Sequence, residues 1–88
     1  MTTMRRETVS VTPRQLEVLT FLSGRDHWLV GEIAVALKVS CAAATKAIAR
    51  LERKGLVVRA IDMMDRRCVK VSLTRSGSET ARQLSQGV

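Results

Sequence analysis

Between Ser40 and Leu73 the apolar period changes once, at Gly55, and that change restricts the chain to few architectures. Upstream, Ala44, Ile48 and Leu51 recur at i, i+4 and i+7, which is one buried face of an α-helix. Ser40 is suited to N-cap this helix and Gly55 to end it in the left-handed conformation, so a helix is predicted from Cys41 to about Lys54. Downstream, Leu56–Ile61 is rich in β-branched residues, and Val69, Val71 and Leu73 alternate with Cys68, Lys70 and Ser72. These are two strands of a hairpin with Asp65, Arg66 and Arg67 at its tip.

Other elements flank this unit. Thr12-Pro13-Arg14-Gln15 combines an N-cap, a proline at the first helical position and a capping-box glutamine. A first helix is therefore predicted over 13–23, with Leu16, Leu19, Phe21 and Leu22 as its stripe. Trp28-Leu29-Val30 reads as a brief strand, and a second helix over 31–37 presents Ile33, Ala34 and Leu37. Lys38-Val39-Ser40 is the break before the third helix. Thr74 is expected to cap a last helix over 75–86, with Ala81 and Leu84 as its apolar contacts. Residues 1–11 read as a polar arm in which Val9 and Val11 alternate, the pattern of a short strand, and residues 12–86 as one folded domain. With 88 residues there is room for one core only.

Charge is unevenly placed. The chain carries 15 basic and 8 acidic side chains, net +7. Residues 41–75 hold nine of the basic groups and three of the acidic ones, so one segment accounts for +6. Such a concentration suits a phosphate backbone. Aromatic residues are only Phe21 and Trp28, which argues against single-strand binding by base stacking.

A short helix, a tight turn and a longer helix with a polar outer face form a helix-turn-helix, whose second helix fits the major groove N-terminal end first. Ala42, Ala43, Thr45, Lys46, Arg50 and Arg53 lie off the buried face of that helix. Thr45 and Lys46 have the chemistry to bond base edges, and Ala42 and Ala43 allow close approach and contact with a thymine methyl. Arg50 and Arg53, further along, suit phosphates. The hairpin supplies a second basic probe in Arg66 and Arg67, with Asp65 placed to pair with one of them, and such a probe fits a narrow minor groove.

The run Asp65-Arg66-Arg67-Cys68-Val69-Lys70-Val71-Ser72-Leu73-Thr74-Arg75-Ser76-Gly77 resembles the wing of the MarR family of transcriptional regulators: aspartate, any residue, arginine, then Leu-Thr-x-x-Gly. Leu51-Glu52-Arg53-Lys54-Gly55-Leu56-Val57-Val58-Arg59 is similar to the end of that family's recognition helix and the start of its wing. The resemblance runs from about Thr12 to Leu84. It implies an α+β, mostly helical fold, a winged helix-turn-helix with a two- to three-stranded antiparallel wing. It also implies a sequence-preferring double-stranded-DNA-binding regulator, a repressor, with helix 41–54 in the major groove and wing 62–68 at the minor groove. In this frame Arg67 is the wing arginine and Asp65 orients it by a salt bridge. Family members dimerise through additional terminal helices and often bind small phenolic effectors beside them. Only eleven residues precede the first helix here, so a homodimer and an effector site are left open.

The alternatives are a winged helix used for protein–protein contact and a binder of structured RNA. The basic segment and the wing arginines speak against the first; the second predicts recognition by shape with little sequence preference. Catalysis is not expected: there is one histidine, His27, and no phosphate-cradling glycine loop or nucleophile–base pair. Asp62 and Asp65 read as turn formers. Cys41 and Cys68 lack zinc or redox spacing, so neither metal nor cofactor is expected, although Cys41 at a helix start is a position that favours a thiolate. The N-terminus has no apolar run of signal-peptide type, and the longest apolar run, Ile33–Leu37, is far short of a membrane span, so a cytoplasmic protein is expected.

Overall fold

The first helix, α1 (Pro13–Leu22), begins where the sequence places its cap. Thr12 Oγ1 accepts from the Gln15 N–H at 3.1 Å, and Gln15 Oε1 accepts from the Thr12 N–H at 3.1 Å, closing a capping box. The computed structural model describes residues 10–86, so the strand pattern at Val9 lies outside the described residues. After α1 come β1 (Trp28–Leu29), α2 (Val30–Leu37), α3 (Cys41–Arg53), β2 (Val57–Ile61), β3 (Val69–Leu73) and α4 (Arg75–Gln86). Val30, read as strand, instead opens α2: Glu32 reaches back to accept the Leu29 N–H at 2.9 Å and so caps the helix one residue early.

Three strands form one antiparallel sheet in the order β1-β3-β2. Trp28 pairs with Val71 and Leu29 with Lys70; on the other side of β3, Val57 pairs with Leu73 and Ile61 with Val69. The two-residue β1 thus makes β3 the central strand and fastens the hairpin to the residues that enter α2. Strand β2 is an edge, and only Val57 of its five residues is buried.

The core lies where the helices meet the base of the sheet. Val18, Leu19 and Leu22 of α1 pack with Ile33, Ile48, Leu51, Leu56, Val57, Val71 and Ala81. Burial of each large aliphatic side chain stabilises the fold by about 2 kcal/mol. Leu84, expected as a second apolar contact of α4, is only half-buried. Trp28 closes the end of α1: its indole N–H donates to the Leu22 carbonyl at 3.0 Å, Phe21 tilts against it at 4.2 Å, and the Arg25 guanidinium covers the ring at 3.8 Å.

The α2–α3 turn is tight because Lys38 adopts φ +60°, which sends the chain round in three residues. Ser40 Oγ then accepts the Ala43 N–H at 3.0 Å, the cap expected for α3. Gly55, at φ +76°, ends that helix in the left-handed conformation. Thr74 ties the start of α4 to this point. Its N–H donates to the Leu56 carbonyl (3.0 Å), its hydroxyl to the Gly55 carbonyl (2.7 Å), and its Oγ1 accepts the Gly77 N–H (3.0 Å).

Candidate nucleic-acid interface

With Ala44, Ile48 and Leu51 fully buried, the 3.6-residue period turns Ala42, Ala43, Thr45, Lys46, Arg50 and Arg53 outward, and none of the six is buried. The helix offers a thin, small-residue face over its first two turns and cations along the remainder.

The hairpin tip is built by two aspartates acting on the backbone. Asp62 Oδ1 accepts the Met64 N–H at 2.8 Å, and Asp65 Oδ1 accepts the Arg67 N–H at 3.0 Å. The Asp62 N–H donates to the Cys68 carbonyl at 2.9 Å and closes the loop. Asp65 also receives the Arg67 side chain, Nε at 3.2 Å and Nη2 at 3.3 Å. The Arg67 side-chain and backbone donors hold the Asp65 carboxyl below the usual aspartate range. Arg67 remains 90% exposed while so held, so the ion pair directs the guanidinium without hiding it.

The two probes share one side of the molecule. A cavity of about 420 Å³ is lined by Cys41 and Thr45 of α3, by Arg67 and Cys68 of the hairpin, and by Arg59 and the start of α2. Arg50 and Arg53 lie beyond it, toward the end of α3. Burial, and next the negative charge of Asp65, push the Cys68 thiol up, so it stays protonated at neutral pH.

Not every basic group of this segment is available to a partner. Arg59 donates to Glu52 at 2.9 Å, joining β2 to α3. Lys54 Nζ is engaged by the Ser10 carbonyl (2.5 Å) and Gln15 Oε1 (2.8 Å). The Lys54 bonds join residues 44 and 39 apart in sequence, and the Arg59 pair crosses the helix-to-strand break at Gly55, so no helical or strand period announces either. Among the described residues, Lys46, Arg50, Arg53 and Arg66 have no hydrogen-bond or ion-pair partner for their side chains. Nor do the described residues bring three metal-ligating side chains together or contain a helix long and apolar enough to cross a membrane.

The sequence model of the MarR family matches residues 11–69. The chain belongs to the MarR family. Among its relatives is the HTH-type transcriptional repressor MdtR of Bacillus subtilis, 41% identical over 71 residues that cover 81% of this chain and 46% of MdtR. Among solved structures, the S. aureus MepR–DNA complex superposes with a TM-score of 0.81 at 28% identity, covering 86% of this chain and 63% of that one. A mutant of E. coli MarR complexed with operator DNA gives 0.81 at 32%, covering 86% and 54%. This MarR-family chain therefore spans about half the length of the relatives it matches, and the match establishes the winged-helix architecture expected from the sequence.

Proposed function

We propose that this chain is the DNA-reading part of a transcriptional repressor. In this reading α3 lies in the major groove of a duplex and the hairpin is the wing at the minor groove. The observation that carries it is a group of four cations without a partner among the described residues, Lys46, Arg50, Arg53 and Arg66, on the same two elements that flank one cavity. Arg53 stands about 12 Å along the helix axis from Thr45, close to the roughly 12 Å width of the major groove. Thr45 and Lys46 then face base edges while Arg50 and Arg53 reach phosphates. Ala42 and Ala43 let the helix start approach the bases closely. Arg67, directed by Asp65, enters the minor groove, with Arg66 on the adjoining backbone.

The relatives named as a repressor and solved on DNA support the same reading, as does the solvation of the whole α3 face. Residues 12–86 act as the binding domain in a cytoplasmic, non-enzymatic protein that pairs with a second copy to cover two half-sites. The test is fluorescence-anisotropy binding to a random-sequence duplex of roughly 25 base pairs across a salt series. About three to five phosphate contacts predict a log–log slope of roughly −3 to −4.5. Absence of binding at low salt refutes the proposal and favours a protein-contact role for the fold.

A further inference from the structure

We infer that Met63 and Met64 form an apolar wedge that enters the minor groove beside Arg66 and Arg67 and parts the stacking of one base step. This rests on the DNA-binding reading and adds to it that the bound duplex is kinked at the wing.

The two side chains are 92% and 93% exposed, the highest values among the exposed large apolar residues. The turn does not ask for methionine at either place. Its hydrogen bonds are made by Asp62 and Asp65 to backbone N–H groups, and neither methionine has positive φ, so polar residues would serve the turn equally well. Because the aspartates fix the backbone, the side chains project from a shaped tip. Ile61, at the end of β2, is also 62% exposed.

Electrostatics then selects the occupant. The four charged side chains of the tip sum to zero, because the backbone N–H on Asp62 leaves its charge in place, but they are arranged unevenly: Asp65 is held by Arg67, Arg67 is 90% exposed, and Arg66 has no partner among the described residues. The tip is thus apolar at its point and presents two guanidinium groups at its shoulder. A minor groove, with sugar and base edges inside and phosphates along its rims, complements both parts. Methionine is among the side chains that proteins insert between base steps, bending the duplex by roughly 20–90°. Arg67, three residues from Met64, lines one cavity with Thr45 of α3, so a duplex met by that helix would also be met by the tip.

The probe is a duplex of roughly 25 base pairs with alternating TpA steps, the flexible kind, carrying 2-aminopurine in place of adenine at those steps and a dye pair at its ends. Saturation with the parent protein should raise 2-aminopurine fluorescence and bring the ends together. The Met63→Gln/Met64→Gln double variant should keep the salt slope and lose both signals. Met63→Leu/Met64→Leu should keep them, as should Val35→Gln, which removes an exposed apolar residue elsewhere. Binding by the parent with no fluorescence rise and a straight duplex overturns the wedge alone, as does a kink preserved in the glutamine variant. Failure of the parent to bind any duplex at low salt overturns the DNA reading with it. Co-sedimentation with phosphatidylglycerol vesicles that the glutamine variant loses, with the duplex left straight, assigns the tip to a lipid surface and overturns the wedge.

Discussion

Replacing Gly77 by alanine separates two arguments that predict opposite signs. Gly77 lies in the first turn of α4, and on helix propensity alone the substitution should stabilise the protein by up to about 1 kcal/mol. The packing predicts the reverse. A Cβ at this position would lie 1.9 Å from the Leu56 carbonyl oxygen, 2.9 Å from its carbon and 3.2 Å from Leu73 Cδ2. The nearest atoms are backbone, so relief requires α4 to move off the β2 entry by more than an ångström. That motion strains the Thr74 bonds to Leu56 and Gly55, each contributing about 1 kcal/mol, and overpacking adds roughly 1–3 kcal/mol. After the propensity gain, Gly77→Ala should destabilise the fold by about 2–4 kcal/mol, a large share of the roughly 5–10 kcal/mol expected of a domain this size. Urea unfolding followed by circular dichroism would show this as a lower midpoint at similar slope. A variant as stable as the parent, or more stable, refutes the claim that contact with Leu56 is what demands glycine here.

Ser40→Ala should cost about 1 kcal/mol in the same assay by removing the cap on the Ala43 N–H. Ser40→Asp should restore stability but weaken duplex binding, because it sets a negative charge at the helix end nearest the bases. Asp65 supplies a pH dependence. Its carboxyl is depressed in the folded chain, so its contribution to wing order is present above the unfolded-state value and is lost as pH falls through the lower folded value. The Arg67 amide resonance should accordingly titrate with a midpoint below the ordinary aspartate value, and a midpoint at or above it would contradict the pairing. Arg67→Ala should leave the unfolding free energy within about 0.5 kcal/mol of the parent and reduce duplex affinity across all sequences. Lys46→Ala should instead change the consensus recovered by selection from random duplexes, and an unchanged consensus would remove Lys46 from base reading.

What could be read from the sequence were the features that local physics writes. The caps at Thr12, Ser40 and Thr74 and the left-handed stop at Gly55 are signalled by residue type over three or four positions, and each is where it was expected. The outward face of α3 follows from its period. What the pattern could not supply were partnerships across the fold. Strand β1 has two residues, too few for a period, and its pairing with β3 spans some forty residues of chain. Arg59 and Lys54 look as free as Lys46 in sequence, yet Glu52 takes one, while the Ser10 carbonyl and Gln15 take the other. Gly77 is recognisable as part of a motif, but its reason, a carbonyl where a Cβ would stand, exists only in the assembled fold.

The short strand β1 has one more consequence. Leu29, paired with Lys70, is the residue before α2 begins, and Lys70 is three residues from Arg67. The root of the helix pair is therefore pinned to the hairpin near its tip, one residue from the last β2–β3 pair, Ile61 with Val69. In the proposed complex a duplex meets both α3 and the hairpin tip, so the pin at Leu29 and Lys70 makes the two contacts depend on groove shape as well as on bases. On that reading a duplex whose helical pitch or groove width departs from this spacing should meet one of the two probes and miss the other, which binding to A-tract and mixed-sequence duplexes would show.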